Sequence, residues 1–252
     1  MTLSVRGVSK SFSGLRVVDD VSFDAPGDGI TGLIGPNGAG KSTLFAVITG
    51  FLAADTGSVR FEGTELGNLS VPERARHGLA RSFQVPRPFA HLTVRENLMA
   101  AAPAQPGEHV LNLLLRPGAV RRRERELGAK ADALLAFLGL TRVAASRAGA
   151  ISGGQKKLLE LGRALMTDPR YVLLDEPYAG VNPVLIEELS ERIRTLAERG
   201  LGFLIVEHNL PALSRLAAHM LVMDRGQLIA QGTPAAVLAD RRVQDAYIGG
   251  PA

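Results

Sequence analysis

The chain has no cysteine among its 252 residues. That excludes disulfides and all thiol chemistry, and it fits a reducing cytoplasm. Long apolar runs are also missing. No uncharged apolar run approaches the ~18–20 residues that cross a bilayer. The longest candidate, Thr43 to Ala54, contains Gly50. The opening Met1-Thr2-Leu3-Ser4-Val5-Arg6 has no apolar signal-peptide segment. The expectation is a soluble protein that another chain must hold if it works at a membrane. A strong charge of one sign is absent too: 29 Lys and Arg against 25 Asp and Glu leave a net charge of +4. No nucleic-acid partner is expected from so mild an excess. The one basic cluster, Arg121-Arg122-Arg123-Glu124-Arg125, reads as a solvated helix face. Internal repeats and low-complexity tracts do not stand out.

Hydrophobic residues make up 46 % of the chain, enough for a sizeable core in one large domain or two small ones. The most informative stretch is Gly35-Pro36-Asn37-Gly38-Ala39-Gly40-Lys41-Ser42-Thr43. Gly, four residues, then Gly-Lys-Ser is a phosphate-binding P-loop. Its glycines let the backbone wrap closely, so that successive N–H groups point at phosphate oxygens. Lys41 can reach the β- and γ-phosphates, and the Ser42 hydroxyl can ligate Mg²⁺. Ile30 to Ile34 reads as a short buried strand before the loop, and Leu44 to Ile48 as a helix after it. The helix N-terminus adds its partial positive charge to the phosphate site.

The remaining pattern is that of an α/β core with an insertion. Leu3, Val5 and Val8, then Val17, Val18, Val21 and Phe23, suggest strands on either side of a turn at Ser13-Gly14. Val59 to Gly63 looks like another strand entering a turn, and together these predict a small antiparallel β layer. Prolines at 86, 88, 103, 106 and 117 break the next part into loops, and Arg121 to Leu138 carries a helical stripe. Residues 86–167 therefore read as a mainly helical subdomain inserted between core segments 1–85 and 168–252. In the second core segment Tyr171 to Asp175 reads as a buried parallel strand, Gly202 to Val206 as a further strand, and Pro183 to Arg199 as a helix. A hairpin is predicted around Asp224-Arg225-Gly226-Gln227, and one helix from Val237 to Ile248.

Beyond the P-loop, Asp175-Glu176 closes an apolar strand. Asp175 can hold Mg²⁺ there, directly or through water, and Glu176 can act as general base on an attacking water. Ile151-Ser152-Gly153-Gly154-Gln155 precedes a helix that Ser152 can cap, with glycines that leave N–H groups open to an anion. This segment resembles the signature motif of ATP-binding cassette (ABC) ATPases, with Ile151 where the family has Leu.

The resemblance covers nearly the whole chain. Gln84 matches the family's Q-loop glutamine, a further Mg²⁺ ligand, and His208 its switch histidine. Phe12 lies where the family stacks an aromatic on adenine, and Val17 joins it in nucleotide binding. After the base the family usually has a loop ending in Asp, and this chain has Asn182. The resemblance implies a P-loop NTPase (RecA-like) core with ATP and Mg²⁺ as cofactors, and Lys41, Gln84, Glu176 and His208 as catalytic residues. It also implies a head-to-tail dimer, with itself or with a second ABC ATPase, in which Ser152, Gly153, Gly154 and Gln155 of one copy meet the nucleotide of the other.

Leu79 to Gln84, Pro88-Phe89, Leu92 to Leu98, Ala179 to Pro183 and the ending Asp245 to Gly249 are similar to the larger ATPase of the branched-chain amino-acid importers. That similarity implies integral permease subunits, an extracytoplasmic solute-binding protein, and a place on the inner face of the cell membrane. Phe83, Val85, Pro86, Pro88, Phe89 and Leu92 either form a groove for the permease or pack within the helical region. Rival readings are a urea, amide or lipid ABC transporter, a non-transport ABC protein, and a P-loop small-molecule kinase.

Overall fold

A computed structural model describes residues 2–82, 87–103, 105 and 117–248. Strands β1 (Thr2–Phe12), β2 (Leu15–Pro26) and β3 (Gly29–Ile34) open the chain, and helix α1 (Lys41–Thr49) follows the glycine-rich loop. Next come β4 (Thr56–Phe61), β5 (Thr64–Glu65), α2 (Val71–Arg76), β6 (Leu79–Arg81), α3 (Val94–Ala100), α4 (Pro117–Phe137) and α5 (Gly153–Leu165). The chain continues with β7 (Tyr171–Asp175), α6 (Pro183–Glu198), β8 (Gly202–Val206) and α7 (Leu210–Leu216). It ends with β9 (His219–Asp224), β10 (Gln227–Gly232), α8 (Pro234–Ala239) and α9 (Arg241–Ile248).

Two compact units divide the structure. The first comprises Met1–Gln84, Arg170–Ala179 and Ile186–Ala252, and the second Val85–Pro169 and Gly180–Leu185. The first unit holds two sheets. One is antiparallel in the order β2-β1-β4-β5, and the other has the order β10-β9-β3-β8-β7-β6. In the larger sheet, β9, β3, β8, β7 and β6 run parallel, and β10 returns antiparallel on β9. β7 and β8 are buried at every residue, which is why they read as unbroken apolar runs rather than as alternations.

In β1 the spacing of Leu3, Val5 and Val8 changes from two to three, and the structure shows why. A register shift lies between Val5 and Val8, where Gly7 takes a φ of 59°. This bulge returns Val8 to the buried face. The core then runs from Leu3, Val5 and Phe61 through Phe45 and Ile48 of α1 to Leu173, Leu204 and Val206 of the parallel strands. α1 is therefore anchored on its apolar side, which fixes where its N-terminus lies.

In the second unit, Leu127, Ala131 and Leu135 form the buried face of α4, and Leu98 of α3 and Leu158 of α5 are buried as well. A Cβ on Gly162 would meet Leu138 Cδ1 at 2.7 Å and Leu98 Cδ2 at 2.8 Å.

One expectation needs correction. The single helix predicted from Val237 to Ile248 is two helices, α8 and α9, separated at Asp240. Asp240 has extended backbone (φ −70°, ψ 124°), and its Oδ1 accepts from Arg242 N at 2.8 Å. The side chain thus competes with helix continuation and starts a new turn, as Asp does more readily than most residues.

Asp24, Asp55 and Asp132 accept hydrogen bonds from Arg6, Lys10 and Arg95, which hold their carboxyls below the ordinary range. Their contribution to stability is complete above the unfolded carboxyl value of about 4 and is lost as pH falls through the lower folded values. The buried Glu207 is pushed up and acts in the opposite direction. With the depressed group the larger, the urea midpoint should change little between about pH 7 and 5 and fall below about pH 4. A midpoint that rises on acidification would contradict this assignment.

Candidate functional site

The glycine-rich loop passes from the end of β3 to the start of α1. Lys41 is buried, and its Nζ donates to the carbonyl oxygens of Gly35 (2.8 Å) and Pro36 (2.9 Å). The loop therefore closes on its own lysine before any ligand is considered. Burial lowers the Lys41 pKa, and the charges of Glu176 and Asp175 oppose that shift. Gly40 has a φ of 94°, and a Cβ there would stand 2.4 Å from Val17 O. Only glycine lets β2 approach the loop this closely. On the other side, Gly226 N in the β9–β10 turn donates to Ala39 O at 3.1 Å.

A depression of about 200 Å³ is lined by Val17, Asn37, Gly38, Ala39, Gly40, Lys41, Ser42, Thr43, Glu176 and His208. Val17, most of the P-loop and two residues more than 130 positions downstream are thus brought together. His208 Nε2 and Glu176 Oε1 are 3.0 Å apart. Phe12 is not part of that lining. It sits exposed at the end of β1, with Lys10 Nζ 5.7 Å from its ring centroid. Gln84 lies outside the described residues.

Asp175 is buried at the end of β7, and its Oδ2 accepts from Arg81 Nη2 at 2.9 Å. The Arg81 guanidinium lies 5.9 Å from the Phe45 ring centroid and 5.4 Å from that of Phe51. Arg81 Nη1 also donates to Thr49 Oγ1 at 3.2 Å. Sequence reading missed Arg81 because its partner is 94 residues away; its one signal was a charge closing the short strand Leu79–Arg81. It missed Gly226 as well, having noted it only as a hairpin turn.

The donor chemistry fits the group expected here. The exposed Ser42 hydroxyl and the Asp175 carboxylate are hard oxygen donors, as Mg²⁺ requires, and too few to enclose the ion without nucleotide phosphates. The N-terminus of α1 and the glycine cradle supply the complementary donors for phosphate.

Ser152, Gly153, Gly154 and Gln155 belong to the second unit. Ser152 Oγ accepts from Gln155 N at 3.2 Å, and Gln155 Oε1 accepts from Ser152 N at 3.0 Å, a capping box that starts α5. A Cβ on Gly154 would overlap Leu185 Cδ2 at 1.7 Å, so the leucine side chain packs directly over this glycine. In the same unit Asn182 Oδ1 accepts from Leu185 N at 2.9 Å at the start of α6. The amide keeps this helix-starting role without the charge of an Asp.

Comparison with known proteins identifies the family. The sequence model described as "ABC transporter" matches residues 18–179. The chain belongs to the ATP-binding cassette transporter family. It is by that membership an ATPase with a nucleotide-binding P-loop. A second model, described as "Branched-chain amino acid ATP-binding cassette transporter", matches residues 227–252. The chain is 41 % identical over 251 residues to the "Probable branched-chain amino acid transport ATP-binding protein LivG" of Methanocaldococcus jannaschii, covering 98 % of this chain and 97 % of the relative. It is 34 % identical to the "Lipopolysaccharide export system ATP-binding protein LptB" of Escherichia coli, covering 98 % and 97 %. Among solved structures it is similar to an ATP-binding cassette of an ABC transporter in its ADP conformation, at 41 % identity, 99 % coverage of both chains and a TM-score of 0.85.

The Arg81–Asp175 pair sits where side-chain exposure is only 16 % and 6 %. Breaking a buried pair strands a charge. Arg81→Met keeps the stem against the aromatic rings and should lower unfolding stability by about 3 kcal/mol in urea titration. A loss well under about 1 kcal/mol would show that the pair is dispensable.

Proposed function

We propose that this ABC ATPase drives the import of branched-chain amino acids through a membrane permease. The carrying observation is the C-terminal match at residues 227–252 to the branched-chain amino acid cassette model. The identity to LivG supports the same reading, and 36 % identity to the "High-affinity branched-chain amino acid transport ATP-binding protein BraF" of Pseudomonas aeruginosa adds to it. The similarity to LptB makes lipid export the alternative to be tested.

In this reading residues 1–85 and 168–252 form the catalytic core and residues 86–167 the helical subdomain. The P-loop N–H groups and Lys41 hold the triphosphate, while Phe12 and Val17 face the base. Ser42, Asp175 and Gln84 would hold Mg²⁺, which when bound supplies charge neutralisation on the β- and γ-phosphates. Glu176 takes the proton of the attacking water, and His208, within hydrogen-bond distance of its carboxylate, keeps that base oriented beside the γ-phosphate. Ser152, Gly153, Gly154 and Gln155 of a second cassette complete the site, so ATP acts as part of a dimer interface that weakens after hydrolysis. The protein works on the inner face of the cell membrane with permease subunits and an extracytoplasmic solute-binding protein. Among the described residues no helix is long and apolar enough to cross a membrane.

The permease-facing surface includes Pro88, Phe89 and Leu92; Phe83, Val85 and Pro86 lie outside the described residues. Phe89 is 53 % exposed. The loop that presents it is pinned by buried Asn97, whose Oδ1 accepts from Phe89 N at 2.8 Å and whose Nδ2 donates to Phe89 O and Thr93 O at 3.0 and 2.9 Å. The ring is also backed by the Arg163 guanidinium, 5.4 Å from its centroid. This rigid presentation of an exposed aromatic supports a docking role.

Glu176→Gln should reduce ATP turnover by at least about 100-fold while nucleotide binding persists and an ATP-bound dimer accumulates. Phosphate release and gel filtration with ATP measure both, and wild-type turnover would remove Glu176 as base. The cargo is tested by co-purifying the permease and measuring labelled leucine uptake into proteoliposomes. ATP-dependent uptake is expected, and Phe89→Asp should abolish it by releasing the permease while ATP hydrolysis by the free subunit remains. Permease that moves lipid and not leucine would favour the exporter alternative.

A further inference from the structure

Glu207 is a carboxylate with no part in the chemistry above, yet it is only 3 % exposed at the end of β8. It accepts from three backbone N–H groups: Tyr178 N at 2.6 Å on Oε1, and His208 N at 3.0 Å and Asn209 N at 3.4 Å on Oε2. These donors come from two loops. Tyr178 follows β7 and Glu176; His208 and Asn209 follow β8. One buried side chain therefore joins the exits of two neighbouring parallel strands.

The first of those exits is strained. Glu176 has a φ of 48°, the left-handed region that a residue with a side chain rarely adopts. Such a conformation persists only where the surroundings over-determine it. Here Glu176 N donates to Val206 O at 2.9 Å on one side of the turn, and Tyr178 N donates to Glu207 on the other. The result is that Glu176 Oε1 stands 3.0 Å from His208 Nε2.

We propose that Glu207 is a positioning residue for ATP hydrolysis, a brace that ties the loop of Glu176 to the loop of His208 and holds the two side chains at hydrogen-bond distance. The proposal rests on the reading of Glu176 as general base. The donors explain why a carboxylate stands here. An ionised carboxylate is acceptor-only at both oxygens, so it can satisfy N–H groups arriving from both loops. A glutamine would turn an NH₂ group toward one of them, donor against donor. Burial disfavours the Glu207 charge and pushes its pKa up, and the hydrogen bonds from Tyr178, Asn209 and His208 oppose that shift. A purely space-filling position would be better served by an apolar side chain.

The test compares wild type, Glu207→Gln and Glu176→Gln in the full chain. Glu207→Gln should lower kcat for ATP by about tenfold or more, because misplacement of a base costs rate rather than binding, and leave KM within about twofold. Backbone amide exchange at Tyr178 and His208 should accelerate by about tenfold or more, a readout independent of turnover. Glu207→Asp keeps the charge but falls one methylene short, and should show the same loss of kcat without a change of KM. It serves as the second variant if the glutamine form does not fold. A kcat within about twofold of wild type in a folded variant, or unchanged exchange at both amides, overturns the brace. So does a parallel loss of kcat, nucleotide binding and melting transition, which a merely structural residue would produce. The two readings separate cleanly: an active Glu176→Gln removes the base, whereas an inactive Glu176→Gln beside a fully active Glu207→Gln removes only the brace.

Discussion

The site depends on the register of three parallel strands. Leu33 of β3 and Asp175 of β7 both pair with Val206 of β8, so the three strands end at one level. The glycine-rich loop, Glu176, and Glu207-His208 each come directly after one of these strands, and all three therefore open at the same edge of the sheet. This is the general location of ligands in open parallel sheets, outside the carboxyl ends of the strands. A shift of one residue in β8 would reverse the faces of all its side chains and carry His208 away from Glu176. Burial on both faces of β7 and β8 holds the register in place.

Each charged group at this edge has polar partners. Lys41 rests on two loop carbonyls, Asp175 on Arg81, and Glu176 on His208. Each group is held before a ligand arrives, which limits the reorganisation that binding and catalysis require. Arg81 is held on several sides at once. Its guanidinium is withdrawn among Phe45, Phe51 and Thr49 to serve one carboxylate. Glu207 does for the backbone what Arg81 does for Asp175, since it ties together the loops from which Glu176 and His208 project.

Much of the fold was legible in the sequence because its signals are local. The short apolar runs at Tyr171–Asp175 and Gly202–Val206 read as strands, and the Asp224–Gln227 turn announced its hairpin. The helical stripe of Leu127, Ala131 and Leu135 was likewise visible from spacing alone. Periodicity failed at Asp240, where a side-chain hydrogen bond to Arg242 N outweighed an unbroken helical pattern. It also blurred at Gly7, where a bulge changes the phase of β1. In both places one local contact overrides a pattern averaged over many residues.

For the site itself, the sequence alone determined which chemistry the loop from Gly35 to Thr43 can perform. The backbone freedom of its glycines, the reach of Lys41 and the hydroxyl of Ser42 are properties of neighbouring residues, and they survive in any context that places a strand before the loop and a helix after it. The tertiary structure alone decided what the loop works with. The Arg81–Asp175 pair spans 94 positions, the Glu176–His208 contact 32, and the Glu207–Tyr178 bond 29. No periodicity encodes such pairings. They exist because strands distant in sequence are forced into register by the burial of their shared faces.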